Sequence, residues 1–300
     1  MIYVKTLAFV AFFFASSLSY AGSYLNWNLS FIKIKVGAND VTIRSGYLQE
    51  SRQKKFKGNI LYYQGLADSM LNHDPLFEKL QNAGYRVIAF DYMGQGGSSG
   101  KMNNTTIENI NNIGDIVLNK LKNQSTSKYN IIGWSTGGLA AYRKAFYDQG
   151  RKINSVILIA PGIAPNFIVG EGLSSFPIDE ISIESLTSNR FENINNPHED
   201  PISPRSPLYV PKFALNLQVT ALKARLKWKI NKKVKGFVLL SGENDTYVNS
   251  SQTKNTIRKN SKHFYLKTYE NALHEIDNEK EKIASQARID ILNMLNFSNR

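Results

Sequence analysis

Six short apolar runs, NILYYQG, RVIAFDYMG, YNIIGW, NSVILIAPG, GFVLLSG and HFYLKTY, recur along the 300-residue chain, and helix-like segments fill most of the gaps between them. Strands this short and this uniformly apolar must be buried on both faces. Helices on both sides of a parallel sheet are the arrangement that achieves this. Upstream, FIKIKVG and VTIRSGYL alternate apolar and polar residues, the period of strands with one wet face, and are predicted to form an antiparallel opening hairpin. Hydrophobic residues make up 42% of the sequence, enough to bury a large core. The expected fold class is therefore α/β, with a mostly parallel sheet flanked by helices.

The segments between the runs fit this scheme. In DPLFEKLQNAG, Asp74 is placed as a helix cap with Pro75 in the first turn, and Gly84 ends the helix. TTIENINNIGDIVLNKLKN puts Ile107, Ile110, Ile113, Val117 and Leu121 on one face, and the last segment repeats Ile283, Ala287, Ile291 and Leu295 at helical spacing. From Ile163 to Lys235 no strand of the series appears, and a structureless loop of that length would be unusual, so an inserted subdomain is expected over 163–235. Its second half reads as a helix with Leu215, Val219, Leu222 and Leu226 on one face and Lys223, Arg225, Lys227 and Lys229 elsewhere. The expected division is 1–21 as a targeting segment, 22–162 and 236–300 as the two parts of one core, and 163–235 as the insertion.

The targeting segment is read from Lys5, the apolar run Leu7 to Ala15, and the small residues Ser19 and Ala21, which together form a cleavable export signal with Gly22 first in the mature chain. A membrane anchor needs about 20 apolar residues, more than this run supplies. The expected location is periplasmic or secreted. There is no cysteine, so neither a disulfide nor a thiolate metal site can form. The net charge of +13 makes an anionic membrane surface a candidate partner; no nucleic-acid motif accompanies the scattered charges, so no nucleic-acid partner is expected. Oligomeric state leaves no mark on the sequence.

The run YNIIGW leads directly into GWSTGG, a GxSxG motif centred on Ser135, and GLAAYRKAF follows as a good helix former. Strand, sharp turn and helix together lift a serine hydroxyl clear of a sheet edge, whereas GxSxG alone is weak. Such a hydroxyl needs a base, and the base needs a carboxylate. Of the four histidines, His73 sits before the first helix, His198 in the insertion and His263 at the start of a strand. Only His274 falls in the loop between the last strand and the last helix. Asp245, in the turn after GFVLLSG, is the expected acid, in the order serine, acid, histidine, with Glu243 and Asp179 as the substitutes the sequence offers. Backbone N–H groups of Leu66 and Thr136 are the expected oxyanion donors, and Gln64 and Trp134 are expected to line the substrate site. Asp91 is read as holding the glycine-rich turn that follows it.

YYQGLADS, GYRVIAFDYMGQGGSSG, GWSTGG, LLSGENDTYV and LHEIDNE occur in an order that resembles the α/β-hydrolase superfamily, in its branch of monoacylglycerol lipases and bacterial lysophospholipases. The resemblance spans nearly all of the chain after Ser30 except the insertion. It departs from the family pattern at Gln64 and Trp134, where histidine is common. It implies an eight-stranded α/β-hydrolase fold with the insertion as a cap, and a serine hydrolase working through Ser135, Asp245 and His274 without cofactor or metal. The implied substrate is a small acyl ester, a lysophospholipid or monoacylglycerol. Phe167, Phe176, Tyr209, Phe213 and Trp228 are candidates to face an acyl chain or simply to pack the cap. Two alternatives stand beside this one: an amidase or aminopeptidase on the same three residues, with Glu171, Asp179, Glu180 or Glu184 holding the amine, and a silent binding protein of the same fold.

Overall fold

The computed structural model describes residues 26–37, 39–166 and 210–298. The expected export signal, and within the insertion Phe167, Phe176, Tyr209, His198 and the four candidate carboxylates, lie outside the described residues.

Eight strands form one sheet in the order β1-β2-β4-β3-β5-β6-β7-β8. The opening hairpin is β1 (Trp27–Val36) and β2 (Asn39–Leu48), antiparallel to each other, and β2 runs antiparallel to β4 (Tyr85–Phe90). From β4 onward every pairing is parallel, through β3 (Gly58–Tyr63), β5 (Tyr129–Trp134), β6 (Ile153–Ile159), β7 (Lys235–Ser241) and β8 (Tyr265–Tyr269). The chain moves outward from β3 to β4, then returns past β3 to β5. That reversal opens a crevice at the carboxyl end of β5.

Two helical layers cover the sheet, and the pleat divides each strand between them. Leu61 and Tyr63 of β3 and Ile88 and Phe90 of β4 join one cluster, with α2 (Ile107–Leu121), α3 (Thr136–Asp148), α4 (Pro211–Lys227) and α5 (Ser250–Asn260). Ile60 and Tyr62, with Val87 and Ala89, join the other, under α1 (Asp74–Asn82) and α6 (Glu281–Ser298). Burial on both faces is the reason these runs carry no polar alternation.

Two local expectations change. Asp74 is the first residue of α1, not its cap; His73 occupies the cap position without a side-chain cap bond, and the Asp74 carboxylate accepts the indole N–H of Trp27 at 3.4 Å. In α4, Leu215, Val219, Leu222 and Leu226 do share a face, but it is the exposed one. Phe213, Leu217, Ala221 and Ala224 make the opposite, buried face against the core. Phe213 and Trp228 are themselves core residues, Trp228 stacking on Phe146 with ring centroids 5.6 Å apart. The helix therefore carries apolar residues on two faces, and periodicity alone does not say which one is packed.

Candidate active site

The turn from β5 into α3 is tight because its glycines have no room for a side chain. A Cβ at Gly137 would stand 2.0 Å from the carbonyl oxygen of Tyr63 and 2.4 Å from that of Gln64; one at Gly133 would stand 2.3 Å from the carbonyl oxygen of Gly137. The first turn of α3 thus rests directly on the end of β3, and the segments bearing Leu66 and Thr136 are in contact. Ser135 sits between those glycines at φ 53°, ψ −119°, a conformation a side chain adopts only under strain. Its backbone is pinned on both sides: its N–H donates to the Ile159 carbonyl at 3.0 Å, and its carbonyl accepts from Gly162 at 2.8 Å.

The Ser135 hydroxyl donates to Nε2 of His274 at 2.7 Å, and the Nδ1–H of His274 donates to Oδ2 of Asp245 at 2.9 Å. The other oxygen of Asp245 accepts the backbone N–H groups of Tyr247 and Val248 at 2.9 and 3.0 Å. Burial would raise this carboxyl, but the His274 imidazole and those two N–H groups outweigh it and hold Asp245 below the usual aspartate range. The three side chains come from the carboxyl ends of β5, β7 and β8. Glu243, two residues before Asp245, is exposed, as is His263 in the lead-in to β8.

Gln64 and Trp134 are both buried, with their N–H groups directed at backbone carbonyls: Gln64 Nε2 donates to Asp68 at 2.8 Å and Trp134 Nε1 to His274 at 3.0 Å. Neither side chain is placed on an open wall. Asp91 behaves as the sequence suggests. Oδ2 accepts the Gly97 N–H and Oδ1 the Met70 N–H, both at 2.8 Å. Asp91 also pairs with the fully buried Arg44 of β2, whose Nη2 donates to Ser69 Oγ at 2.9 Å. Arg44 was not singled out by the sequence, where it stands as one polar residue in an alternating strand. His73, expected in the loop before the first helix, is fully buried. The signal available for it was a polar stretch, ADSMLNHD, lodged between an apolar strand and an apolar helix face.

A mostly parallel eight-stranded sheet with a strained serine at the β5 elbow defines an α/β-hydrolase. The chain belongs to the family described as Serine aminopeptidase, S33, which it matches over residues 54–281. Among solved structures it is similar to a monoacylglycerol lipase of Paleococcus ferrophilus, at 19% identity and a TM-score of 0.66, covering 85% of this chain and 99% of that one. It is also similar to a soluble variant of the monoglyceride lipase of Saccharomyces cerevisiae in complex with a substrate analog, at 14% identity and a TM-score of 0.71, with 90% and 96% covered. A highly thermostable carboxyl esterase of Bacillus coagulans in complex with glycerol aligns at 16% identity and a TM-score of 0.65, covering 91% and 99%. At these identities the likeness is one of fold. Comparison with curated proteins returns no match.

Proposed function

We propose that the protein is an exported serine ester hydrolase acting on single-chain lipid esters, lysophospholipids or monoacylglycerols. The observation that carries the chemistry is the unbroken relay of 2.7 and 2.9 Å from Ser135 through His274 to Asp245. In this reading Ser135 Oγ attacks the acyl carbonyl as His274 Nε2 takes its proton. The N–H groups of Leu66 and Thr136 hold the oxyanion, and His274 returns the proton to the leaving alcohol. Water then repeats the sequence on the acyl-enzyme, releasing the fatty acid and restoring Ser135. Asp245 fixes the tautomer and stabilises the imidazolium. Gln64 and Trp134 act from behind the site, holding the Asp68 and His274 carbonyls.

Support for a lipid ester comes from the monoacylglycerol and monoglyceride lipases named above and from the net positive charge, with residues 163–235 read as a cap over the acyl site. The export signal at 1–21 rests on its sequence pattern. The family's description favours one second reading, aminopeptidase activity on the same three residues. Hydrolysis of p-nitrophenyl acyl esters of increasing length, monoacylglycerol, lysophosphatidylcholine and aminoacyl amides, each beside Ser135→Ala, separates the two. Ester turnover that rises with acyl length and vanishes in the variant is the expected result; turnover of the amides alone overturns the ester assignment.

A further inference from the structure

Against the Trp134 ring, which also packs on His274, lies a second histidine that the chemistry above does not use. Ring centroids run His73 to Trp134 at 5.1 Å and Trp134 to His274 at 5.4 Å. The His73 Nδ1 lies 2.8 Å from Oδ2 of Asp277, and its Nε2 lies 3.1 Å from Oδ2 of Asp68. Glu275 Oε1 is 3.7 Å from the same Nε2. Histidine and all three carboxylates are fully or almost fully buried.

These groups come from two loops. Asp68 and His73 follow Leu66 in the segment after β3, whereas Glu275 and Asp277 follow His274 by one and three residues. Strands β3 and β8 are separated in the sheet by β5, β6 and β7, so no backbone ladder joins the loops at their ends. Side chains must do it. Asn278 Nδ2 adds a bond to the Asn72 carbonyl at 3.1 Å and one to Glu275 Oε1 at 2.8 Å, and Asn72 Nδ2 reaches Asp68 Oδ1 at 2.7 Å. From α6, Arg288 Nε donates to the Asp277 carbonyl at 2.8 Å.

We propose that the Asp68–His73–Asp277 clasp is a positioning element of the active site: it fixes the loop carrying His274 against the loop carrying the Leu66 N–H. The inference rests on the hydrolase reading of Ser135 and His274. A neutral imidazole has one N–H and can donate to only one carboxylate; with a carboxylate at each nitrogen, both bonds form when the ring is protonated. Burial by itself would lower the affinity of His73 for that proton, but Asp277 and Asp68 outweigh it and hold the ring well above the usual histidine range. Two charge-assisted bonds in a buried site are stiffer than neutral ones. Catalytic geometry tolerates about 0.5 Å of error, and a misplacement of about 1 Å can cost on the order of 100-fold in rate. His73 touches neither Ser135 nor substrate in this scheme; it acts through His274.

The test compares wild type with His73→Gln and the isosteric Asp277→Asn, the second included because the first leaves three buried carboxylates without their cation. Fluorophosphonate labelling of Ser135, kcat and KM on a p-nitrophenyl ester, and thermal midpoints are measured on the full chain. Folded variants are expected to label and turn over ~10- to 100-fold more slowly with KM within about threefold of wild type. Nitrogen-15 NMR of labelled histidine is expected to show both His73 nitrogens still protonated as pH rises past the ordinary histidine value of about 6.5. Wild type that labels beside an Asp277→Asn variant that is folded and equally fast overturns the clasp, as does a neutral His73 ring. Wild type inert to the probe overturns the hydrolase reading itself.

Discussion

The indole N–H of Trp134 donates to the backbone carbonyl of His274 at 3.0 Å, so the residue immediately before the elbow serine holds the residue that faces it. The bond spans 140 positions of sequence and closes the distance between the ends of β5 and β8. The Trp134 ring also packs against both imidazoles, with centroids 5.1 Å from His73 and 5.4 Å from His274, which further constrains its orientation.

Trp134→Phe keeps most of the ring and removes the donor. The His274 carbonyl is then buried without that bond, which costs about 1–3 kcal/mol. Turnover is expected to fall about 10-fold or more while the protein stays folded; steady-state kinetics with a parallel denaturation curve checks this. Unchanged kcat would mean that the loop is held by its other contacts alone.

Ser135→Ala and His274→Ala are each expected to lower kcat by on the order of 10⁴-fold or more, and the double variant is expected to be no worse than the more damaging single one, because the two groups act as a unit. Asp245→Asn is expected to cost ~10⁴-fold with the fold intact, since Oδ1 would still accept from Tyr247 and Val248. Multiplicative losses in the double variant would contradict the relay.

Arg44 and Asp91 are a pair with no solvent access at either side chain. Arg44→Met leaves Asp91 as an uncompensated buried charge and is expected to destabilise the protein by about 3–5 kcal/mol. Adding Asp91→Asn removes that charge, so the double variant is expected to recover part of the loss. Urea denaturation of the four proteins gives the coupling.

Stability is expected to decline at both ends of the pH range, for reasons of opposite sign. Asp245 is held below its unfolded value near 3.9, so its contribution is complete above that pH and is lost as pH falls through the folded value. His73 is held above its unfolded value near 6.5, so its contribution is complete below that pH and is lost as pH rises through the folded value. Thermal midpoints across pH should show an alkaline decline that His73→Gln flattens. An alkaline limb identical in the two proteins would remove His73 as its cause.

Most of this arrangement was legible in the sequence. Each of the six apolar runs lies at one of the six mutually parallel strands, because burial on two faces leaves a run without polar interruptions. The elbow serine, the acid and the histidine could be picked out because each stands at the carboxyl end of a recognisable strand, and the structure brings those three side chains together. The fully buried ions were not legible. Arg44 and His73 look like ordinary surface residues in a one-dimensional string, since their partners Asp91 and Asp277 are 47 and 204 positions away. The exposed side of α4 failed for a related reason: two apolar stripes share one helix, and only the neighbouring elements decide which is covered.

Ser135 and His274 are 139 positions apart, and nearly half of the chain lies between the hydroxyl and its base. Contacts of such long range form late, after the intervening loops have been closed. In the proposed mechanism Ser135 gains its base only once β8 is docked on the far edge of the sheet, so turnover is itself a reporter of completed folding.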